Sequence, residues 1–392
     1  MSSVAPLQND WTLTEDILMD ADKDIEEYSM DKNIHVKALG LIYKFSGILG
    51  ITFKKHESNH RCTLSYWDLF INLVESVIYV ISLLGSETMK ISSRVTYTVY
   101  VYITLGQIIR ICLIFNRGAI YSASGNLGKL LVRLKADSPV HFKAVIIQLG
   151  MFVVWIVCIA VMSMYFFATV EGHVNIKPFG YNVDISNTLT FDCFIRLCLV
   201  LSTVSTTSGI SLALIICSNL YFASTSLLMT YGQGFSKITS ADGMNKKRLV
   251  SFISAYRQII SCIGEIDAAV SGISLLLYAT SVTCFFNMIS IMLLDANIRS
   301  DVVILVQAAL TFIMGLVIFF SLTNTGSPVI SQYETLKSII TKNTENIFME
   351  VSDTQIMIIC NSLIQIVNNN YACFTGGGMF NINKGLLLTT AG

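Results

Sequence analysis

Apolar positions along this chain gather into blocks of about bilayer width, and charged positions fall mostly in the intervals between them. Six blocks stand out: 64–84, 95–115, 145–169, 195–220, 270–294 and 302–322. Each is long enough for a helix to cross a hydrocarbon core of about 30 Å, which takes about 20 apolar residues. Lipid offers nothing to backbone N–H and C=O groups, so a spanning segment must satisfy its own bonds, as a helix does. A β-barrel would show alternating segments of about ten residues, and these blocks do not alternate. Composition agrees: 53% of the 392 residues are hydrophobic and 13% charged, against roughly a quarter charged in soluble proteins.

The intervals carry their own pattern. Between the fourth and fifth blocks, Leu249, Phe252, Ile253, Tyr256, Ile259, Ile260 and Ile263 recur at three- and four-residue spacing, which predicts a helix continuous with the fifth span. Val329, Tyr333, Leu336 and Ile340 continue the sixth span in the same way. Ser352, Asp353 or Thr354 is placed to cap a further helix through Ile366. The apolar positions of that helix (Ile356, Ile358, Ile359, Leu363, Ile366, Val367) exceed one face, so it needs a partner, within the chain or on another subunit. The expected layout is a segment 1–63 before the membrane and a six-helix bundle at 64–323 with a helical extension at 231–268. Anchor helices at 324–371 and the start of a seventh helix at 372–392 complete it. The fold class expected is all-α: a polytopic membrane bundle of six full spans and a truncated seventh.

Charge sets the orientation, because Lys and Arg are retained in the cytosol. The intervals on one side hold 19 of them, from Lys23 to Lys342, and the other side holds only Lys90, Arg94, Lys177 and Arg299. The N-terminus is therefore expected inside. A receptor that signals through G proteins begins outside, so no G protein is expected as a partner. Met1–Met30 is acidic and lacks the apolar region of a cleavable signal. There is no N-x-S/T site.

Catalytic and metal chemistry find no support in the sequence. HExxH, GxSxG and P-loop patterns are absent, and Gly376-Gly377-Gly378 reads instead as a bend ahead of a helix. His56 and His60 share a helical spacing but have no carboxylate or Cys pair beside them, and the ten cysteines show no metal spacing. No enzyme activity, cofactor, metal or nucleic acid is expected; the surroundings are membrane lipid.

With the N-terminus inside, the outer halves of the spans supply Tyr97, Tyr100 and Tyr102, Tyr165 and Phe166, Phe285 and Asn287, and Gln307 and Thr311. Aromatic walls with a few polar groups suit a small organic ligand, while Tyr at headgroup depth also suits an interfacial belt. Asn287 and Gln307 stand out, because an amide in lipid requires a partner. Four ionisable residues fall within spans: Asp68, Glu75, Arg110 and Arg196. Asp68 and Glu75 lie seven apart on one helical face, and Asp68 is level with Arg110 across two helices. A pair between them would be either a gating contact or a structural joint.

The last residues, 371–392, carry the most specific pattern. Gly378, Phe380, Ile382, Asn383, Leu386 and Leu387 resemble the lead-in to the seventh helix of insect gustatory receptors. The resemblance extends to the inside N-terminus, the short outer loops, the long inner ones, and the glycine-containing turn Phe45-Ser-Gly-Ile-Leu-Gly-Ile. It implies a ligand-gated, nonselective cation channel, with four like or unlike chemoreceptor subunits around a pore lined by the seventh helix. Each subunit would bind a small-molecule tastant in a pocket open to the outside. The setting implied is the plasma membrane of chemosensory neurons, and bitter compounds are expected over sugars. Odorant receptors share this plan and remain an alternative; a transporter is the alternative of another class. The family's Thr-Tyr and Gln-Phe signature would lie beyond Gly392. From Met379 onward there are 14 residues, about 21 Å of helix, so the pore helix is expected to be truncated here.

Overall fold

The computed structural model describes residues 34–53, 66–86, 93–134, 139–169, 189–239, 246–293, 302–350, 354–383 and 385. Eight helices account for almost all of them: α1 (Ile34–Ile48), α2 (Tyr66–Ser86), α3 (Ser93–Arg133), α4 (Pro139–Thr169), α5 (Leu189–Thr239), α6 (Lys246–Leu293), α7 (Val302–Glu350) and α8 (Thr354–Asn369). A two-stranded hairpin follows, β1 (Thr375–Gly376) and β2 (Phe380–Asn381).

Among the described residues, five helices are long and apolar enough to cross a membrane: within α3 at Val101–Arg133, α4 at Lys143–Tyr165, α5 at Val200–Lys237, α6 at Leu249–Leu293 and α7 at Leu305–Met349. At 21 residues α2 is about 31 Å long, and it turns Trp67, Leu69, Phe70, Leu73, Val77 and Val80 outward. α4 likewise exposes Ile147, Met151, Val154, Val157, Val161 and Met164. Outer faces this apolar match a hydrocarbon solvent, not water. With those spans, this is the architecture of a multi-pass membrane protein.

Successive long helices reverse direction. Tyr79 meets Thr104, Gln148 meets Asn219, Tyr221 meets Ser274 and Tyr278 meets Thr323, each pair pointing to antiparallel neighbours. α5 sits at the centre, packed against α1, α2, α3, α4, α6 and α7. α5, α6 and α7 have 51, 48 and 49 residues, about 72–77 Å each, and so extend well beyond the hydrocarbon. At that end Arg133 donates to Gln258 at 3.0 Å, Asn126 to Glu265 at 2.8 Å, and Lys246 to Gln355 at 2.6 Å. Lys129, Arg133, Lys237, Lys246, Arg257, Lys337 and Lys342 lie on these extensions.

The tightest packing lies in the same half. Among the described residues, the six largest fully buried side chains are Tyr221, Tyr231, Tyr256, Tyr333, Phe235 and Phe374, all at or beyond the level of α5 residue 221. α8 lays Ile356, Cys360, Leu363 and Val367 into this core, and the Tyr333 hydroxyl donates to the Val367 carbonyl at 2.6 Å. The interval 116–133, expected as a loop, is instead the continuation of α3. Gly118, Gly125 and Gly128 weaken its helical signal. Ile120, Ala123, Leu127, Leu130 and Leu131 nonetheless bury one face, and Gly128 leaves room for Val36 of α1.

α1 ends in a built cap. Ile51 N–H donates to Ser46 O at 3.0 Å and Gly50 N–H to Gly47 O at 3.2 Å, with Gly50 at φ +76°. This is a glycine left-handed C-cap. A Cβ on Gly50 would stand 2.7 Å from Ile71 Cγ2. Gly50→Ala therefore meets both a disfavoured φ and a clash with α2, and is expected to destabilise by about 1–3 kcal/mol. Gly47→Ala, which faces open space inside α1, is the control with no loss, and thermal unfolding in detergent compares the two.

Candidate functional site

A charged joint ties α1, α2 and α3 together. α2 places Asp68, Asn72 and Glu75 on one face, at i, i+4 and i+7. Arg110 of α3 reaches that face: Nε lies 2.6 Å from Glu75 Oε2 and donates to Asn72 Oδ1 at 3.0 Å. Its Nη2 donates to the Leu49 carbonyl at 2.5 Å, at the C-cap of α1. That carbonyl end carries partial negative charge, which a cation complements. Asn72 Nδ2 donates to Gly50 O at 3.1 Å, and Thr52 donates to Asp68 Oδ1 at 2.7 Å. Arg117 lies 3.4 Å from the other Asp68 oxygen.

Arg110 is 3% exposed, and Asp68 1%. The partner of Arg110 is Glu75, and Asp68 is taken by Arg117 one helical stretch further inward. Among the described residues, Arg110 Nη1, Glu75 Oε2 and the α5 hydroxyls of Ser202 and Thr206 are buried without a hydrogen-bond partner. Asn72, Thr52 and the Leu49 carbonyl were not anticipated from the sequence. Asn72 was detectable as the third polar residue on the Asp68–Glu75 face; a backbone carbonyl leaves no such signal.

A second region occupies the other half of the bundle. Tyr102 of α3 shares a hydrogen bond with Thr207 of α5 at 3.4 Å and donates to Met314 Sδ of α7 at 3.2 Å. Phe285 of α6 packs against Phe312 and Phe319 of α7, with ring centroids 5.4 and 6.5 Å apart. Gly315 lets α6 approach closely: a Cβ there would stand 2.7 Å from Cys284 Cβ, and Ser281 donates to the Gly315 carbonyl at 2.8 Å. Asn287 is buried at 9% exposure. Gln307 and Thr311 lie half-buried one turn apart, and the Thr311 hydroxyl donates to the Gln307 carbonyl at 2.9 Å. Tyr165 is 56% exposed and points away from this interior. The side chains of Tyr97, Tyr100, Phe166 and Arg196 lie outside the described residues, although their backbones are helical. Aromatic surface, a thioether and a few hydroxyl and amide groups are the lining a small organic molecule needs.

The third region is the hairpin at residues 372–382, where the sequence suggested a bend leading straight into a helix. Met379 N–H closes a turn onto Gly376 O at 3.0 Å, with Gly377 and Gly378 at φ +61° and +71°. Two positive φ values in sequence are the type I′ combination, for which glycine is suited. Phe374 stacks on Tyr221, and Phe380 meets Tyr278 edge-on at 5.4 Å. Ile382 is fully buried against Gly326 of α7. Gly378 and Asn383 are exposed, and Leu386 and Leu387 lie outside the described residues.

Burial pushes the Cys360 thiol up to about 11. Burial and the nearby Asp267 carboxylate raise that of Cys373. Both thiols are therefore protonated, and poor nucleophiles, at neutral pH. Among the described residues no group of three or more His, Cys, Asp or Glu is placed to hold a metal.

Compared with known proteins, the sequence matches no family model and no curated protein. The fold does find relatives. The insect olfactory receptor OR5 from Machilis hrabei, solved in complex with eugenol, superposes with a TM-score of 0.65 at 11% identity, covering 91% of this chain and 96% of that one. A second structure of the same receptor gives 0.63 at 10% identity, covering 91% and 94%. The chain thus shares the fold of an insect olfactory receptor over nearly its whole described length.

The joint makes its own prediction. Arg110→Ala strands Glu75 in a low-dielectric corner and is expected to destabilise by about 3–5 kcal/mol. Arg110→Met with Glu75→Leu removes both charges and is expected to recover most of that loss. A double-mutant cycle on thermal unfolding in detergent measures the coupling.

Proposed function

We propose that this chain is a subunit of a ligand-gated, nonselective cation channel of the insect chemoreceptor type, seated in the plasma membrane of a chemosensory neuron. The observation that carries the reading is the shared fold, along 91% of the chain, with an insect receptor solved holding a small aromatic ligand. The ligand site proposed is the outer interior, with Phe285, Asn287, Gln307 and Thr311 joined by Tyr97, Tyr100 and Phe166; Tyr165 sits at its lipid-facing edge. Ligand binding there favours the arrangement it fits better and shifts the population toward an open channel.

The finer reading is a gustatory receptor assembled as a homo- or heterotetramer, with bitter compounds favoured over sugars as the default, because no residue pattern here marks a sugar subgroup. The residues that support it are Gly378, Phe380, Ile382 and Asn383 of the lead-in to the seventh helix. An odorant-type subunit is the second reading, favoured by the fact that the matched structures are of an olfactory receptor. The two separate on partner dependence, since the odorant type needs a common co-receptor. No G protein takes part in either.

Patch recording from cells expressing the chain with a completed seventh helix, challenged with alkaloids, sugars and volatile phenols, tests the proposal. The expected result is a ligand-evoked current that reverses where mixed cation gradients dictate and persists when G-protein signalling is blocked. Phe285→Ala is expected to raise the half-activating concentration roughly ten-fold, equivalent to about 1.4 kcal/mol of binding. Substrate accumulation without current would favour a transporter.

A further inference from the structure

The hairpin at 372–382 does more than bend the chain. Asp267, near the middle of α6, grips its first strand with both carboxylate oxygens: Thr375 N–H donates to Oδ1 at 2.7 Å, and the Thr375 hydroxyl donates to Oδ2 at 2.9 Å. One turn along α6, the Ser271 carbonyl accepts from Gly377 N–H at 2.8 Å. The hairpin tip thus hydrogen-bonds to the backbone of a membrane helix. A Cβ on Gly377 would stand 2.7 Å from Leu275 Cδ2, so the approach needs glycine on packing as well as on φ. Gly378 N–H donates back to the Thr375 hydroxyl at 3.2 Å, completing a chain of bonds from Asp267 through Thr375 into the turn.

The hairpin's other contacts fall on different helices. Tyr221 of α5 stacks on Phe374, and its hydroxyl shares a 2.6 Å bond with Ser274 of α6. On α7, a Cβ on Gly326 would stand 2.8 Å from Ile382 Cγ2. Pro328, two residues on, interrupts the α7 hydrogen-bond ladder just there. Within the hairpin, Ile382 N–H donates to Phe374 O at 2.8 Å, so the end that touches α7 and the end that touches α5 and α6 are tied together. Upstream, at the first residue after α8, the Asn370 carbonyl shares the Tyr333 hydroxyl of α7 with the Val367 carbonyl.

We propose that this hairpin is a latch, held to α6 by Asp267 and Ser271 and to α7 by Gly326, that moves as one piece and passes displacements of α6 and α7 to the chain beyond Ile382. The bonds to α6 are specific and few, and the contact with α7 is close-packed. A small shift of either helix must therefore move the hairpin or break it, because packed interfaces are bistable rather than continuously deformable. The consequence for gating rests on the channel reading above; the latch itself does not.

Hydrogen exchange on the purified full chain in nanodiscs tests the latch without requiring any current. In Asp267→Ala the amides of Thr375 and Gly377 are expected to exchange roughly ten-fold faster than in the wild type. The α8 amides, as a control for folding, are expected to be unchanged. Asp267→Asn, which keeps one acceptor, is expected to fall between, as is Thr375→Val, which keeps the N–H bond; these two serve if the alanine variant does not fold. Unchanged exchange at Thr375 across the series would overturn the clasp. Transmission is read from Gly326→Ala, on the opposite side of the hairpin. Faster exchange at Thr375 and Gly377 supports a unit that moves together, and a change confined to Ile382 overturns it. Absence of ligand-evoked current from the chain with a completed seventh helix would count against the channel reading alone.

Discussion

A charge placed in hydrocarbon must be answered by the protein, and the Arg110 guanidinium shows how this chain does it. It is answered by a carboxylate on α2, an amide on the same face, and the carbonyl end of α1. The partners come from two other helices, so one side chain fixes three elements relative to one another. The corner also sets the start of the bundle: α1 runs in antiparallel to α3, stops at a glycine cap, and the chain turns toward the first span. Removing the ion without its partner leaves the other charge stranded, which is why such joints resist single changes.

From that corner the molecule divides along its length. One half is packed with large, fully buried aromatic side chains and closed by α8. The opposite half has aromatic, thioether and hydroxyl groups in contact across α3, α5, α6 and α7. The hairpin touches both halves: Phe374 stacks on Tyr221 of the first, and Phe380 meets Tyr278, whose ring packs on Phe319 of the second.

Much of this was visible in the residues. The apolar blocks located α2 to α7, and the spacing of Leu249, Phe252, Tyr256 and Ile263 gave the long inward run of α6, because lipid and helix periodicity leave few alternatives. The extension of α3 through 116–133 was not visible. Three glycines suppressed the helical signal, and only tertiary contact with α1 and α6 restores it. The pairing of Arg110 with Glu75 rather than Asp68 was equally hidden, since it depends on how far α2 slides along α3. The hairpin's glycines were legible as a bend, whereas its docking on Asp267 and Ser271 required coordinates. That clasp is made from contacts more than a hundred residues apart in sequence, with no local pattern to announce it.

The account rests on a bundle oriented with its long helical extensions and basic intervals in the cytosol. Epitope tags placed singly at the N-terminus, within residues 240–245 and within residues 87–92, and stained on intact and then permeabilised cells, test this most directly. The account predicts that only the 87–92 tag is reached on intact cells, and that the other two appear after permeabilisation. Surface staining of the N-terminal or 240–245 tag would contradict it.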